Sequence, residues 1–135
     1  MKIVALMKEP KLNKGLAQNL AACLGRICNL QPDALSNESL EAIMKNWCLS
    51  LRMLKDPTEK TSAMRGFCRV APNSIEAIRN NFPFVCSCIT NFKNPPADLE
   101  ARFKEILHAF KGLSSSQEEW NAYLGTFPAT LRQDV

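Results

Sequence analysis

Shifting the chain against itself by 41 places brings Gly25 onto Gly66 and Ala22 onto Ala63, and then superimposes five apolar residues in one run. These are Ile43 on Phe84, Met44 on Val85, Trp47 on Cys88, Cys48 on Ile89 and Leu51 on Phe92. A further shift of 40 sets Ala63 on Phe103, Phe67 on Leu107 and Val70 on Phe110. The matched positions recur at three- and four-residue intervals, the spacing at which a helix returns to one face. A unit of this length holds two helices, and a helix pair cannot bury its apolar side alone, so successive pairs must stack. The alternative is a compact helical bundle whose helices share a length by coincidence.

Apolar spacing, read with start and stop signals, predicts seven helices. The first is a stub over 2–8, stopped near Pro10. The second, 13–30, opens on Asn13 as N-cap, carries Leu16, Leu20, Cys23, Leu24, Ile27 and Leu30 on one face and stops before Pro32. The third, 40–55, holds Leu40, Ile43, Met44, Trp47, Cys48 and Leu51 in one stripe. Asp56-Pro57-Thr58-Glu59 then supplies a cap acceptor, a proline at the first helical position and an acid at the third, so a fourth helix runs over 57–70 through Met64, Phe67 and Cys68. Asn73-Ser74-Ile75-Glu76 repeats the acceptor-then-acid pattern and opens a fifth over 74–92, which Pro83 should kink or split.

Asn94-Pro95-Pro96 breaks the chain before a sixth helix over 97–111, marked by Leu99, Phe103, Ile106, Leu107 and Phe110. Lys111-Gly112 should close it, the cation meeting the negative helix end and the glycine taking the cap. Ser116-Gln117-Glu118-Glu119 reads as a capping box that starts a short seventh helix with Trp120, Tyr123 and Leu124. No alternating run is long enough to pair as a strand.

Periods of about 40–47 residues with two helices per unit are those of HEAT and armadillo arrays, whereas tetratricopeptide units run about 34. The expected fold is an all-α α-α superhelix, a HEAT-repeat solenoid segment of about three helix pairs plus a short C-terminal capping helix. As a single domain it divides into a partial first repeat (1–31), a second (32–72), a third (73–113) and a C-terminal cap and tail (114–135). Solenoid ends need capping. At the C-terminus Trp120, Tyr123, Leu124 and Phe127-Pro128 should fold over the sixth helix. At the other end only Ile3–Met7 covers the second helix, so Leu16, Leu20, Leu24 and Ile27 are expected to leave an apolar face open to self-association.

Charge and composition narrow the function. The 135 residues carry a net charge of +4, small beside the dense basic patches of nucleic-acid binders. Lys8, Lys11 and Lys14 form the one local basic cluster and fit a solvated turn, or a contact with an acidic partner. The apolar run Ile3–Met7 is shorter than the roughly 7–15 residues of a signal-peptide core, and no window reaches the roughly 18 apolar residues of a membrane span. The expectation is a soluble intracellular chain that engages neither membrane nor nucleic acid. Cys23, Cys28, Cys48, Cys68, Cys86 and Cys88 should then stay reduced. No Cys-x-x-Cys pair exists and His108 is the lone histidine, so no zinc site of usual spacing is expected. Cys86 and Cys88 would diverge by about 200° on a helix and read as small core hydrophobes.

Catalytic candidates are few. His108 lies in the sixth helix with Glu105 one turn back, an ordinary setting for a helix histidine. Glu118 and Glu119 fall in a first helical turn, where the macrodipole favours acids. There is no phosphate-cradling glycine loop and no Gly-x-Ser-x-Gly elbow. The chain reads as a non-enzyme without cofactors. Trp47 is expected in the inter-helix core and Trp120 at the sealed end of the array. Arg26, Lys60, Arg65 and Lys104 fall on the inner helices as exposed charges that could meet an acidic partner.

Three stretches carry a resemblance: Trp47-Cys48-Leu49-Ser50-Leu51-Arg52, Lys60-Thr61-Ser62-Ala63-Met64-Arg65-Gly66-Phe67-Cys68, and Phe103-Lys104-Glu105-Ile106-Leu107-His108-Ala109-Phe110-Lys111. Together with Asn19–Ile27 and the tail around Phe127-Pro128 and Leu131, they resemble the C-terminal end of the transportins, within the importin-β or karyopherin-β superfamily of nuclear transport receptors. The resemblance covers roughly Leu16 to the end, through order and spacing rather than one diagnostic motif. It implies a HEAT superhelix that shuttles between cytoplasm and nucleus, carries proline-tyrosine-type localisation signals and releases them to Ran-GTP. Full-length receptors of this family engage cargo, Ran and nucleoporins. Their Ran-binding and main signal-binding repeats precede the stretch that this chain resembles, so no cargo-binding residue carries over and neither contact is expected of this segment alone. A stand-alone adaptor that holds a partner peptide, unrelated to transport, and an end-cap without a ligand are the other readings.

Overall fold

The structure, a computed structural model, describes residues 2–9, 11–113 and 117–126. Among them lie α1 (Lys2–Met7), α2 (Lys14–Leu30), α3 (Asn37–Arg52), α4 (Pro57–Val70), α5 (Ile75–Asn80), α6 (Phe82–Thr90), α7 (Ala97–Phe110) and α8 (Gln117–Thr126), with short 3-10 turns at Pro32–Ala34, Ala71–Asn73 and Lys111–Leu113. No strand occurs among the described residues.

Side-chain caps start four of these helices. The Asn13 side chain accepts from the Leu16 amide at 3.1 Å. Asp56 Oδ1 accepts from the amides of Thr58 at 2.9 Å and Glu59 at 3.1 Å. Ser74 Oγ accepts from Ala77 at 3.2 Å. Ser36 Oγ does the same for Ser39 at 3.1 Å, so α3 begins three residues earlier than its apolar stripe alone indicates. Each such cap is worth about 1 kcal/mol because it satisfies a backbone amide that the helix leaves without a partner. Pro83 splits the fifth predicted segment rather than kinking it. Asn81 separates α5 from α6, and Pro83 sits in the first turn of α6, where its missing amide costs nothing. The proposed capping serine of α8, Ser116, lies outside the described residues, as do Phe127, Pro128 and Leu131.

The helices pack in two layers. One contains α2, α4 and α7 side by side, and the other contains α1, α3, the α5–α6 pair and α8. This alternation along the chain makes an all-α helical-repeat segment. The core runs unbroken from Val4 and Met7 to Trp120. On α3 alone Leu40, Ile43, Met44, Trp47 and Leu51 are at most 1% exposed. At about 1.5–3 kcal/mol for each large apolar side chain, that stripe outweighs surface ion pairs worth about 0–1 kcal/mol each. The helix α6 is apolar almost all round and buries Phe82, Val85, Cys86, Cys88 and Ile89, because α3 covers one side and α8 approaches another.

The closest crossing is that of α2 over α4. A Cβ built on Gly66 would lie 1.7 Å from the Gly25 carbonyl oxygen, and one on Gly25 would lie 2.5 Å from Ala63 Cα. The residues that coincide in the 41-place shift therefore meet in space. Two glycines, with Ala21, Ala22 and Ala63 fully or almost fully buried around them, let the backbones touch.

Several helix C-termini are closed by side chains from a neighbouring helix. Asn46 Nδ2 donates to the Met7 carbonyl at 2.7 Å, Lys60 Nζ to Arg52 O at 3.3 Å, and Arg69 Nη1 to Asn29 O. The glycine cap expected after the sixth predicted helix is not used. No glycine has positive φ among the described residues, and α7 runs into the 3-10 turn at Lys111–Leu113 instead. The one positive-φ residue described is Asn94, at 54°, ahead of Pro95.

Candidate interaction surfaces

The residues singled out in the sequence divide between core and surface differently from their charges. Trp47 is fully buried. Its indole N–H donates to the Ala21 carbonyl at 3.1 Å, and its ring meets Phe67 edge-on at 5.2 Å, so it joins α3 to both α2 and α4 as expected. Trp120 is also buried, stacked on Phe82 at 6.2 Å with Lys111 Nζ 5.7 Å from its ring centroid. It ties α8 onto α6. Leu124 packs partly against the same core.

Of the four cations proposed as an exposed charged face, Lys60 is corrected outright. It is 9% exposed, caps the end of α3 through Arg52 O, and lies 5.4 Å from the centroid of Phe92. Burial pushes its ammonium pKa down. A cation at a helix C-terminus meets the negative end of the dipole, so Lys60 is a packing residue with a polar tip. Arg65 is exposed but forms a two-pronged pair with Asp98, at 3.1 and 3.2 Å. That contact raises the guanidinium pKa and lowers that of the Asp98 carboxyl. Lys104 lies 3.8 Å from Glu100. Arg26 is exposed.

His108 is exposed in the last turn of α7, and Glu105 pairs with Arg102 at 3.4 Å. Glu118 is exposed and Glu119 half-buried in the first turn of α8. All six cysteines are free thiols. Cys23 is half-buried, and the other five are buried. Desolvation raises the Cys28 pKa to about 11 and that of Cys86 to about 12, and pushes Cys48 and Cys68 well up, with the neighbouring Cys88 adding to both. Cys88 Sγ lies 3.6 Å from Met64 Sδ. Thiols so buried behave as small hydrophobes. Among the described residues no three His, Cys, Asp or Glu side chains converge on a metal position, and no helix is long and apolar enough to cross a membrane.

A set of polar links escaped the sequence reading. Asn46 reaches back 39 residues to Met7, Asn80 Nδ2 reaches back 39 to Glu41 Oε1, and Arg69 reaches back 40 to Asn29. Arg52 Nη1 donates forward to Ser87 Oγ at 2.9 Å. The first three span 39 or 40 residues, nearly the sequence period, and the last spans 35. The 41-residue period is the signal in the sequence that relates such pairs.

The face expected to be uncovered at the N-terminal end is smaller than its stripe. Leu16 is 44% exposed, while Leu24 is fully buried in the chain's own core. Leu20 and Ile27 are half-buried. A second, concave surface lies where the α1–α2 turn, the first turn of α2 and the last turns of α3 meet. It encloses about 320 Å³.

Two helical layers stacked in register define a helical-repeat segment. Over 131 residues, 97% of its length, the chain is 31% identical to Transportin-1 of Mus musculus and to the same extent to Transportin-1 of Homo sapiens. Over 121 residues it is 26% identical to Importin subunit beta-2 of Schizosaccharomyces pombe, which covers 90% of the chain. It spans 14% of the length of the two transportins and 13% of that of the yeast protein. No protein-family model matches the chain. The chain is thus a transportin-like HEAT-repeat segment.

Proposed function

We propose that the chain serves as the C-terminal portion of a transportin-like nuclear import receptor, a binding and scaffold segment of a protein that carries localisation-signal cargo under Ran control between cytoplasm and nucleus. The observation that supports this most is the match to transportins along 97% of the chain, in a segment whose own architecture is a stack of repeats. Its partners on this reading are proteins, reached through the receptor as a whole. The units are 1–31, 32–72 and 73–113 with a cap at 114–135, and the alternation of helices between the two layers supports that division. No catalytic role is part of the proposal.

A chimaera tests it. The 131-residue matching stretch of mouse Transportin-1 is replaced by this chain, and import of a proline-tyrosine-signal reporter is followed in permeabilised cells. Import within a few-fold of the parent is the expected result. A folded chimaera that binds cargo and Ran-GTP yet fails to import would refute the reading. The isolated chain should bind neither Ran-GTP nor the signal peptide tightly. Micromolar or better binding by calorimetry, about 8 kcal/mol or more, would show that this segment carries those sites itself.

A further inference from the structure

We propose that the groove between the α1–α2 turn and the end of α3 docks an acidic-hydrophobic peptide segment of a partner protein, an apolar anchor flanked by aspartate or glutamate. The inference does not rest on the receptor reading, because it uses a turn edge of the array and not the stacking of its layers.

The groove has a rigid base. Met7 lies at the base, 1% exposed, and its carbonyl accepts from Asn46 Nδ2 at 2.7 Å, which ties the end of α1 to α3 beneath the groove. Leu12 and Ala17 line one wall, and Leu49 and Met53 the other. Leu49 in the last turn of α3 and Met53 just after its end remain 37% and 44% exposed. Large apolar side chains left open to water around a hollow are the usual mark of a contact surface. The volume of about 320 Å³ is at the small end of ligand pockets, which run from about 300 Å³, and suits one or two anchoring side chains.

Charge selects the occupant. Lys14 and Arg52 line the groove beside its single lining carboxylate, Glu9, and Lys8, Lys11 and Lys55 lie within three residues of these in sequence. All five cations are exposed, and none belongs to an ion pair among the described residues. α2 also begins here with no acid in its first turn, so its positive end adds to the same field. A like-charged peptide would be repelled, whereas flanking carboxylates would be steered in and held. The apolar hollow is what distinguishes this surface from a plain basic patch for nucleic acid.

The test uses the whole 135-residue chain and fluorescence anisotropy with a fluorescein-labelled peptide of about twelve residues, two leucines flanked by glutamates. Control peptides replace the leucines with serine or the glutamates with lysine. Saturable micromolar binding of the parent peptide, weakened at least tenfold by either control and by raised salt, is expected. Leu49→Ser should weaken it about tenfold through the hollow, and Lys14→Glu with Arg52→Glu similarly through the rim, each variant keeping its helical dichroism. Absence of saturable binding, equal binding of either control peptide, or folded variants that bind like the parent chain would overturn the proposal. Displacement of the peptide by a polyuridine oligonucleotide that itself binds more tightly would also overturn it, in favour of a nucleic-acid surface.

Discussion

Replacing Gly66 with alanine puts a methyl group 1.7 Å from the Gly25 carbonyl oxygen, 2.6 Å from the Gly25 carbonyl carbon and 3.0 Å from its Cα. Comfortable separation of non-bonded heavy atoms is roughly 3.5 Å, and the obstructing atoms are backbone, so no side-chain rotation relieves the clash. α2 and α4 must part by more than about 1 Å. That movement strains the Trp47–Ala21 hydrogen bond of 3.1 Å and opens the packing of Ala21, Ala22 and Ala63. Overpacking of this kind costs about 3 kcal/mol at the upper end of its range, and a weakened buried hydrogen bond adds about 1 kcal/mol. Alanine returns about 1 kcal/mol of helix propensity. The net loss is about 3 kcal/mol, or about 10 °C in melting temperature for a chain of this size. Thermal unfolding followed by dichroism at 222 nm reads the change. Gly112→Ala is the control, because nothing lies within 4 Å of the added methyl and φ there is not positive. It should melt within about 2 °C of the parent. If Gly66→Ala melts with the control, the close crossing is not where this chain is packed.

Asp56→Ala removes an oxygen that accepts from two amides and should cost about 1 kcal/mol in urea unfolding; an unchanged midpoint would show that water serves the start of α4 equally well. Asp98 titrates below the ordinary carboxyl range because of Arg65. Its contribution is present above the unfolded-state pKa and is lost as pH falls through the depressed folded one. NMR titration should return Asp98 to the ordinary range in Arg65→Gln, and no movement would mean that the pair does not persist in solution. Iodoacetamide at pH 8 should modify Cys23 in the folded chain and all six thiols once denaturant is added; rapid native labelling of Cys86 or Cys88 would contradict their burial. Sedimentation across a concentration series should show self-association of the 135-residue chain that Leu16→Lys weakens. A strictly monomeric parent would remove the N-terminal face as a contact.

The separation between local and tertiary information is sharp in particular residues. Asn13 and Asp56 announce their helices because a cap acts within three residues, and those helix starts are legible without any partner, whereas at the next start the acceptor is Ser74, one residue after the Asn73 that opens the acceptor-then-acid pattern. The stripe from Leu40 to Leu51 shows one buried face, and the shift of 41 places shows that such faces recur, so the all-α stacked architecture is determined by sequence alone. Which side of a helix meets which neighbour is not. Lys60 reads as a surface cation until the end of α3 and the ring of Phe92 are brought over it, and Arg65 reads as free until α7 presents Asp98. Leu24 belongs to the same stripe as Leu16, yet one is buried and the other exposed, because helix period places them together but only the packing of neighbouring helices decides which is covered. Gly112 had the right residue for a cap and was passed over, since the chain tightens into a 3-10 turn after α7. The groove beside Leu49 and Met53 is assembled from segments some 40 residues apart, so no local pattern could show it. Spacing along the chain determines faces and caps through contacts within a turn or two, whereas burial, pairing and concavity depend on distances between turns that exist only after the layers have packed.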